Sequence, residues 1–271
     1  MSSSPQQLAS WLSSVIDIAD AAGREIMRIY QTAFSVSLKA DRSPLTEADL
    51  AAQRIIAAGL QSLTPEIPML GEESHPEAFE QRRSWSRLWL VDPLDGTREF
   101  VKRNGEFTIN IALVEHGVAV LGVVYAPARP VLYAAAQGCG AFRRELGGER
   151  TPIHAQAAAP ARARILGSRS HGDAVLDRML ARLGEHERLR VGSALKFGLL
   201  AEGSGDLYVR RGPTSEWDTA AGQAVVLEAG GCVVDFGGAP LRYNARDNLL
   251  NPSFLAYAER SRDWLALLAG T

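Results

Sequence analysis

The run Leu88-Trp89-Leu90-Val91 breaks directly into Asp92-Pro93-Leu94-Asp95-Gly96-Thr97. Four consecutive apolar residues read as a strand buried on both faces, which needs a covering layer on each side. The strand ends in two carboxylates, with Gly96 allowing a tight turn. Carboxylates at the mouth of a buried strand repel one another unless something neutralises them. Two readings stay open on these residues alone. One is a solvated turn with an Asx cap; the other is a hard divalent cation such as Mg²⁺, which prefers carboxylate and carbonyl oxygens.

The rest of the chain fits around such a strand. Apolar spacing predicts a long amphipathic helix over 5–34, with Leu8, Leu12, Val15, Ile16, Ala19, Ala22, Ile26 and Ile29 on roughly one face. Pro5 suits the first turn after Ser4. A second helix is predicted over 46–63, with a short extended piece around 36–38 between the two. Residues 108–114 and 118–125 are β-rich runs separated by Glu115-His116-Gly117, a hairpin signature, and 132–136 reads as a further strand. The patternless stretch 156–164, rich in Ala, Pro and Arg, marks an expected boundary. It divides an N-terminal α+β subdomain (1–155) from a C-terminal α/β subdomain (156–271). Beyond it strands at 164–167, 189–191, 206–209 and 232–235 alternate with helices at 174–183, 194–202 and 217–229, and a last helix covers 260–269. Such alternation implies a sheet covered by helices.

Composition narrows the function classes. Lys plus Arg is 29 and Asp plus Glu is 31, a formal charge of −2, which argues against a polymeric nucleic-acid partner. A local cationic cluster could still bind a small anion. Cys139 and Cys232 form no CxxC pair, so a thiolate zinc site is not expected; two buried free thiols in a reducing cytoplasm are. The N-terminus lacks the pattern of a secretory signal, and no apolar run approaches the ~20 residues of a membrane span. The five histidines form no HExxH pair, and neither a Gly-x-Ser-x-Gly elbow nor a phosphate-binding glycine loop is present.

Three further acidic places stand out, each with an ordinary explanation. Glu72-Glu73, between Gly71 and Ser74, reads alone as an exposed loop. Asp218 in Trp217-Asp218-Thr219-Ala220-Ala221 lies near a helix start, where a carboxylate complements the helix dipole. Thr46-x-x-Asp49 fits a capping box, with Asp in place of Glu.

Taken together, Gly71-Glu72-Glu73-Ser74, Trp89-Leu-Val-Asp92-Pro-Leu-Asp95-Gly-Thr97 and Trp217-Asp218-Thr-Ala-Ala-Gly222 resemble the Mg²⁺-dependent, lithium-sensitive phosphatases of the inositol monophosphatase superfamily. Within it, the stretch from Arg98 to Asn110 is similar to the bacterial 3'(2'),5'-bisphosphate nucleotidases. So are Ser168-Arg-Ser-His171, Ser193-Ala-Leu-Lys196-Phe and Asp206-Leu-Tyr-Val-Arg210-Arg-Gly-Pro213. Arg98 stands where many members carry Lys. The resemblance spans nearly the whole chain.

It implies a five-layer α/β/α/β/α sandwich of the inositol monophosphatase and fructose-1,6-bisphosphatase type. It also implies roles. Glu73, Asp92 and the Leu94 carbonyl would hold one Mg²⁺, and Asp92, Asp95 and Asp218 a second. Asp49 and Thr97 would orient the attacking water, with a third ion near Asp49 and Glu73 left open. The backbone at Gly96 and Thr97 would donate to phosphate oxygens. Lys196 and Arg210 stand where nucleotidases hold a second phosphate, and Ser193 and His171 would face ribose or adenine. Read without the resemblance, Lys196 and Arg210 are ordinary solvated charges. The implied substrate is adenosine 3',5'-bisphosphate, with 3'-phosphoadenylyl sulfate as a further one, in sulfur assimilation. The alternative is an inositol or other sugar monophosphatase. The implied location is the cytoplasm, with attachment to the inner membrane's cytoplasmic face left open, as is the oligomeric state.

Overall fold

The computed structural model describes residues 2–38, 44–74, 77–145, 147–156, 158, 160–169 and 174–268. Helix α1 (Pro5–Tyr30) begins as its sequence dictates: Ser4 Oγ accepts the Gln7 N–H at 3.2 Å and Pro5 occupies the first turn. All eight apolar residues expected on one face are buried. The helix ends at Tyr30 rather than at 34, because Arg103 donates to the carbonyls of Tyr30 and Thr32. The released Phe34 ring packs instead on Phe100, 4.7 Å between centroids.

A two-stranded ribbon, β1 (Val36–Leu38) and β2 (Pro44–Thr46), leads into α2 (Glu47–Leu63). Strand β3 (Met69–Gly71), helix α3 (Phe79–Arg82), strand β4 (Arg87–Asp95) and the short helix α4 (Thr97–Val101) follow. Five more strands complete the larger sheet: β5 (Thr108–Glu115), β6 (Val118–Ala126), β7 (Val131–Ala136), β8 (Gly140–Glu145) and β9 (Arg150–Ile153). Its order is β3 to β9 in sequence, with only the β3–β4 pair parallel.

The remaining elements are β10 (Ala163–Gly167), α5 (Ala174–Ala181), β11 (His186–Arg190), α6 (Leu195–Ala201), β12 (Leu207–Arg210), α7 (Glu216–Glu228), β13 (Cys232–Asp235), β14 (Phe254–Tyr257) and α8 (Trp264–Leu268). The five-stranded sheet runs β11-β10-β12-β14-β13.

Three cores separate five layers. Helices α1 and α2 cover one face of the large sheet through Trp89, Ile111 and Leu113. Helices α6 and α7 lie between the sheets, with Phe197, Leu200 and Val225 meeting Val114 and Tyr133 on one side and Tyr208 and Phe254 on the other. Helices α5 and α8 close the outer face of the small sheet through Met179 and Trp264. Strand β5 shows why this works: Ile109, Ile111 and Leu113 point to one core and Ala112 and Val114 to the other, so the strand is buried on both faces along its whole length.

Strands β3, β8, β9 and β14 carry too few apolar residues in sequence, or too short a run, to announce themselves. The cysteine expectation is corrected: neither thiol is buried, Cys139 being exposed and Cys232 half-buried. Among the described residues no helix is long and apolar enough to cross a membrane.

Candidate active site

The carboxylates converge because the end of β4 meets the starts of α2, α4 and α7. Asp92 pairs with Asn110 and Asp95 with Thr108, and the register shifts between them, so Pro93 and Leu94 bulge out of the β5 ladder. Asp92 Oδ1 accepts the Leu94 N–H at 3.0 Å, an Asx turn that shapes the bend. Gly96 follows with φ +90°; a side chain there would meet the Glu106 carbonyl at 3.1 Å and Ser193 Cβ at 3.4 Å. The turn and the site thus coexist in the same residues.

Asp49 and Asp218 repeat one device. Each sits three residues after the N-cap, and each closes a capping box, with Thr46 and Ser215 respectively. Asp49 Oδ2 accepts the Thr46 N–H at 2.8 Å, which leaves Oδ1 to accept from Thr97 Oγ1 at 3.3 Å. Asp218 Oδ2 accepts the Ser215 N–H at 2.9 Å. Capping therefore fixes one oxygen of each carboxylate and aims the other. The Thr97 hydroxyl also lies 3.4 Å from the Leu94 carbonyl.

The glutamate beside these aspartates is Glu72, where the sequence reading had placed Glu73. Glu72 hydrogen-bonds Asp92 and acts on Asp49, Asp95 and Asp218 as well. The reason lies in the register. Gly71 pairs with Val91, and the Glu72 N–H donates to the Val91 carbonyl at 3.1 Å, which sets Glu72 beside Asp92. Glu73 belongs to the turn closed by the Ser74 N–H on the Gly71 carbonyl at 3.0 Å.

Burial and the neighbouring carboxylates Glu72, Asp95 and Asp218 push the Asp92 carboxyl well above the usual range. Burial and Asp95 do the same to Asp218. Asp95 is raised by burial despite the Lys196 ammonium, and Asp49 by burial despite its bonds from Thr46. Among the described residues, no three of the His, Cys, Asp and Glu side chains form a finished ligand cage. The donor chemistry nonetheless fits a hard cation: oxygen ligands only, mutually repelling, and lacking enough protein cations to balance them.

Beside these carboxylates, a cavity of about 280 Å³ is lined by the acidic-turn residues Asp95, Gly96, Thr97 and Asp218 together with Ser193, Lys196 and Arg210. Lys196, expected as a solvated charge on its own evidence, is 5% exposed. Its Nζ donates to the carbonyls of Val191 and Ser193 and stands 5.1 Å over the Tyr208 ring. Burial lowers its pKa to about 8 against the pull of Asp95. Arg210 donates to the Pro213 carbonyl at 3.0 Å, while its Nε makes no hydrogen bond. Ser193 Oγ is likewise buried without a partner, on a residue held at φ +46°. His171 lies outside the described residues.

A model of the inositol monophosphatase family matches residues 7–267. The chain belongs to that family. A 3'(2'),5'-bisphosphate nucleotidase CysQ from Escherichia coli O157:H7 is 52% identical over 245 residues, covering 90% of this chain and 98% of that one. The CysQ of Haemophilus influenzae is 36% identical over 257 residues, covering 94% and 96%. Among solved structures, CysQ from Bacteroides thetaiotaomicron, a bacterial member of the inositol monophosphatase family, superposes with a TM-score of 0.81 at 41% identity, over 93% of this chain and 98% of that one. The Thermotoga maritima IMPase gives 0.77 at 28%, over 96% of each. This inositol monophosphatase family member therefore has the expected five-layer α/β fold.

Proposed function

We propose that this chain is a Mg²⁺-dependent 3'(2'),5'-bisphosphate nucleotidase that removes the 3'-phosphate of adenosine 3',5'-bisphosphate, giving AMP and phosphate. One observation carries the reading: a single cavity has an acidic wall suited to metal and a wall holding Lys196 and Arg210. A substrate with one phosphate to cut and another to hold needs both. CysQ relatives at 52% identity support the same substrate class.

Glu72, Asp92 and the Leu94 carbonyl would hold one Mg²⁺, and Asp92, Asp95 and Asp218 a second; Glu72 and Asp49 would flank any third. Bound Mg²⁺ supplies positive charge to the phosphoryl oxygens and makes a water nucleophilic near neutral pH. Thr97, held on Asp49 Oδ1, orients that water and passes its proton toward the Asp49 carboxylate. The backbone N–H groups of Gly96 and Thr97 direct donors at the phosphate being cut. Lys196 and Arg210 pair with the second phosphate through charge-assisted hydrogen bonds, and the free Ser193 Oγ donates to the nucleoside side. His171 is assigned to the same side on resemblance. Residues 1–155 would then bring most metal ligands and 156–271 would bring Asp218 and the nucleotide-holding residues. The site would work in the cytoplasm.

The test is product identification. Incubation with adenosine 3',5'-bisphosphate and Mg²⁺ in ¹⁸O-water should yield 5'-AMP and phosphate carrying one solvent oxygen, and a chelator should abolish turnover. Release of adenosine 3'-phosphate, or a trapped phosphorylated side chain, would contradict the reading.

A further inference from the structure

Glu106 opens the turn into β5, outside every motif that marks the acidic wall. It is 1% exposed, and its carboxylate is fully engaged. Oε1 accepts from Arg129 Nη2 at 2.6 Å and Arg169 Nη2 at 2.7 Å. Oε2 accepts from Arg169 Nε at 2.8 Å and from the Gly192 N–H at 2.9 Å. Arg169 continues to the Arg190 carbonyl at 3.0 Å. One side chain of the large sheet thus ties down two segments of the small-sheet half: the turn after β10 and the loop between β11 and α6.

That loop is the cationic wall. Its carbonyls at Val191 and Ser193 hold the Lys196 ammonium. The Ala194 N–H reaches the Asp95 carboxylate. Ser193 sits at φ +46°, a conformation costly for a residue with a side chain and sustained only by its surroundings. Gly192 is pressed against Glu106: a Cβ there would fall 2.7 Å from the Glu106 carbonyl and 2.9 Å from its Cβ, so no other residue fits. Burial would push the Glu106 carboxyl up, but Arg169, the Gly192 amide and Arg129 outweigh it and hold it ionised.

We propose that Glu106 is a positioning residue for substrate selection: it fixes the 191–196 loop, and with it Lys196 and Ser193, at the distance that accepts a second phosphate. The Glu106 carboxylate bonds Arg129, Arg169 and the Gly192 amide, and it acts on the site through the Gly192 amide and Arg169. Arg169 therefore supports the site from behind, despite lying in a stretch similar to nucleotidases. The inference rests on the nucleotidase reading, since it presumes that this loop faces the phosphate that is kept.

The test compares adenosine 3',5'-bisphosphate with adenosine 3'-monophosphate, which has the same reacting phosphate but lacks the second one. KM and kcat are measured for wild type, Glu106→Gln and Arg169→Gln, with melting temperatures alongside. Because a misplacement near 1 Å can cost up to about 100-fold, Glu106→Gln should raise the KM for the bisphosphate about tenfold. KM for the monophosphate, and kcat for both, should move less than about threefold if only the distant phosphate is affected. Arg169→Gln, whose side chain is 46% exposed and so removable without unfolding, should show the same split at smaller size. Equal losses on both substrates, or a lowered melting temperature with unchanged kinetics in both variants, would overturn the proposal. A wild type indifferent to the second phosphate would instead overturn the nucleotidase reading on which it stands.

Discussion

On one side of the cavity Asp92, Asp95 and Asp218 crowd one another in a buried setting, with the Lys196 ammonium as a protein counter-charge to Asp95. On the other side Glu106, equally buried, is enclosed by two guanidinium groups and an amide. The first group holds its protons more tightly than free carboxyls do; the second releases its proton more readily. Burial is common to both, so burial does not decide function. The partners decide it. A carboxylate that the protein leaves unbalanced is prepared for a cation from outside, whereas one that the protein has balanced holds other residues in place.

Breaking the unbalanced side should have the largest effect. Asp92→Asn should lower kcat at saturating Mg²⁺ by more than about 100-fold, since even outer-shell partners of a metal ligand cost 10–100-fold. In chelator the same variant should melt no lower than wild type, because it removes a buried, repelled charge. Loss of activity accompanied by loss of the metal-free fold would erase the contrast between the two sides.

Thr97→Ala sharpens the comparison within the acidic wall. With the water-orienting hydroxyl gone, kcat should fall about 100-fold while KM stays nearly constant. A rise in KM without a fall in kcat would make Thr97 a substrate-holding residue.

The balanced side should respond to pH in a way the acidic side does not. The folded Glu106 carboxyl lies below the ordinary value of 4.5, so the unfolded chain takes up a proton first as pH falls. Its contribution to stability is present above 4.5 and is lost as pH drops through the folded value. Glu106→Gln lacks that titration. The variant should melt about 2–4 °C below wild type near pH 7, the shift expected for about 1 kcal/mol, and the gap should close on acidification. A gap independent of pH would mean that the charge of Glu106 contributes nothing.

The same contrast explains what the sequence made legible. The acidic wall is written in short contiguous runs: Asp92 and Asp95 stand out at the end of a buried strand, whereas Asp49 and Asp218 read alone as helix-cap residues and were assigned to the site only through the family resemblance. The choice between Glu72 and Glu73 was not legible, because it depends on the pairing of Gly71 with Val91 across 20 residues of chain. The opposite wall is assembled from residues near 106, 129, 169 and 192, whose meeting is a tertiary fact with no local pattern. Lys196 shows the limit most clearly. A lysine in a Ser-Ala-Leu-Lys run looks solvated, and only the packing of α6 against Tyr208 and the loop carbonyls buries it. At fold level the long, strongly periodic α1 and the apolar β4 to β6 were readable. Strands β8 and β9, the last two at one end of the large sheet, consist mostly of part-buried or exposed positions and were not.

The central claim is that the cationic wall selects a substrate with a second phosphate. It is tested most directly by kcat/KM for adenosine 3',5'-bisphosphate and for inositol 1-phosphate, in wild type and Lys196→Ala. Wild type should prefer the bisphosphate, and Lys196→Ala should lower that efficiency at least about tenfold, the scale of a charge-assisted hydrogen bond, while leaving inositol 1-phosphate turnover little changed. A wild type that prefers inositol 1-phosphate, or a Lys196→Ala variant that loses both activities equally, would contradict the account and leave a sugar monophosphatase in its place.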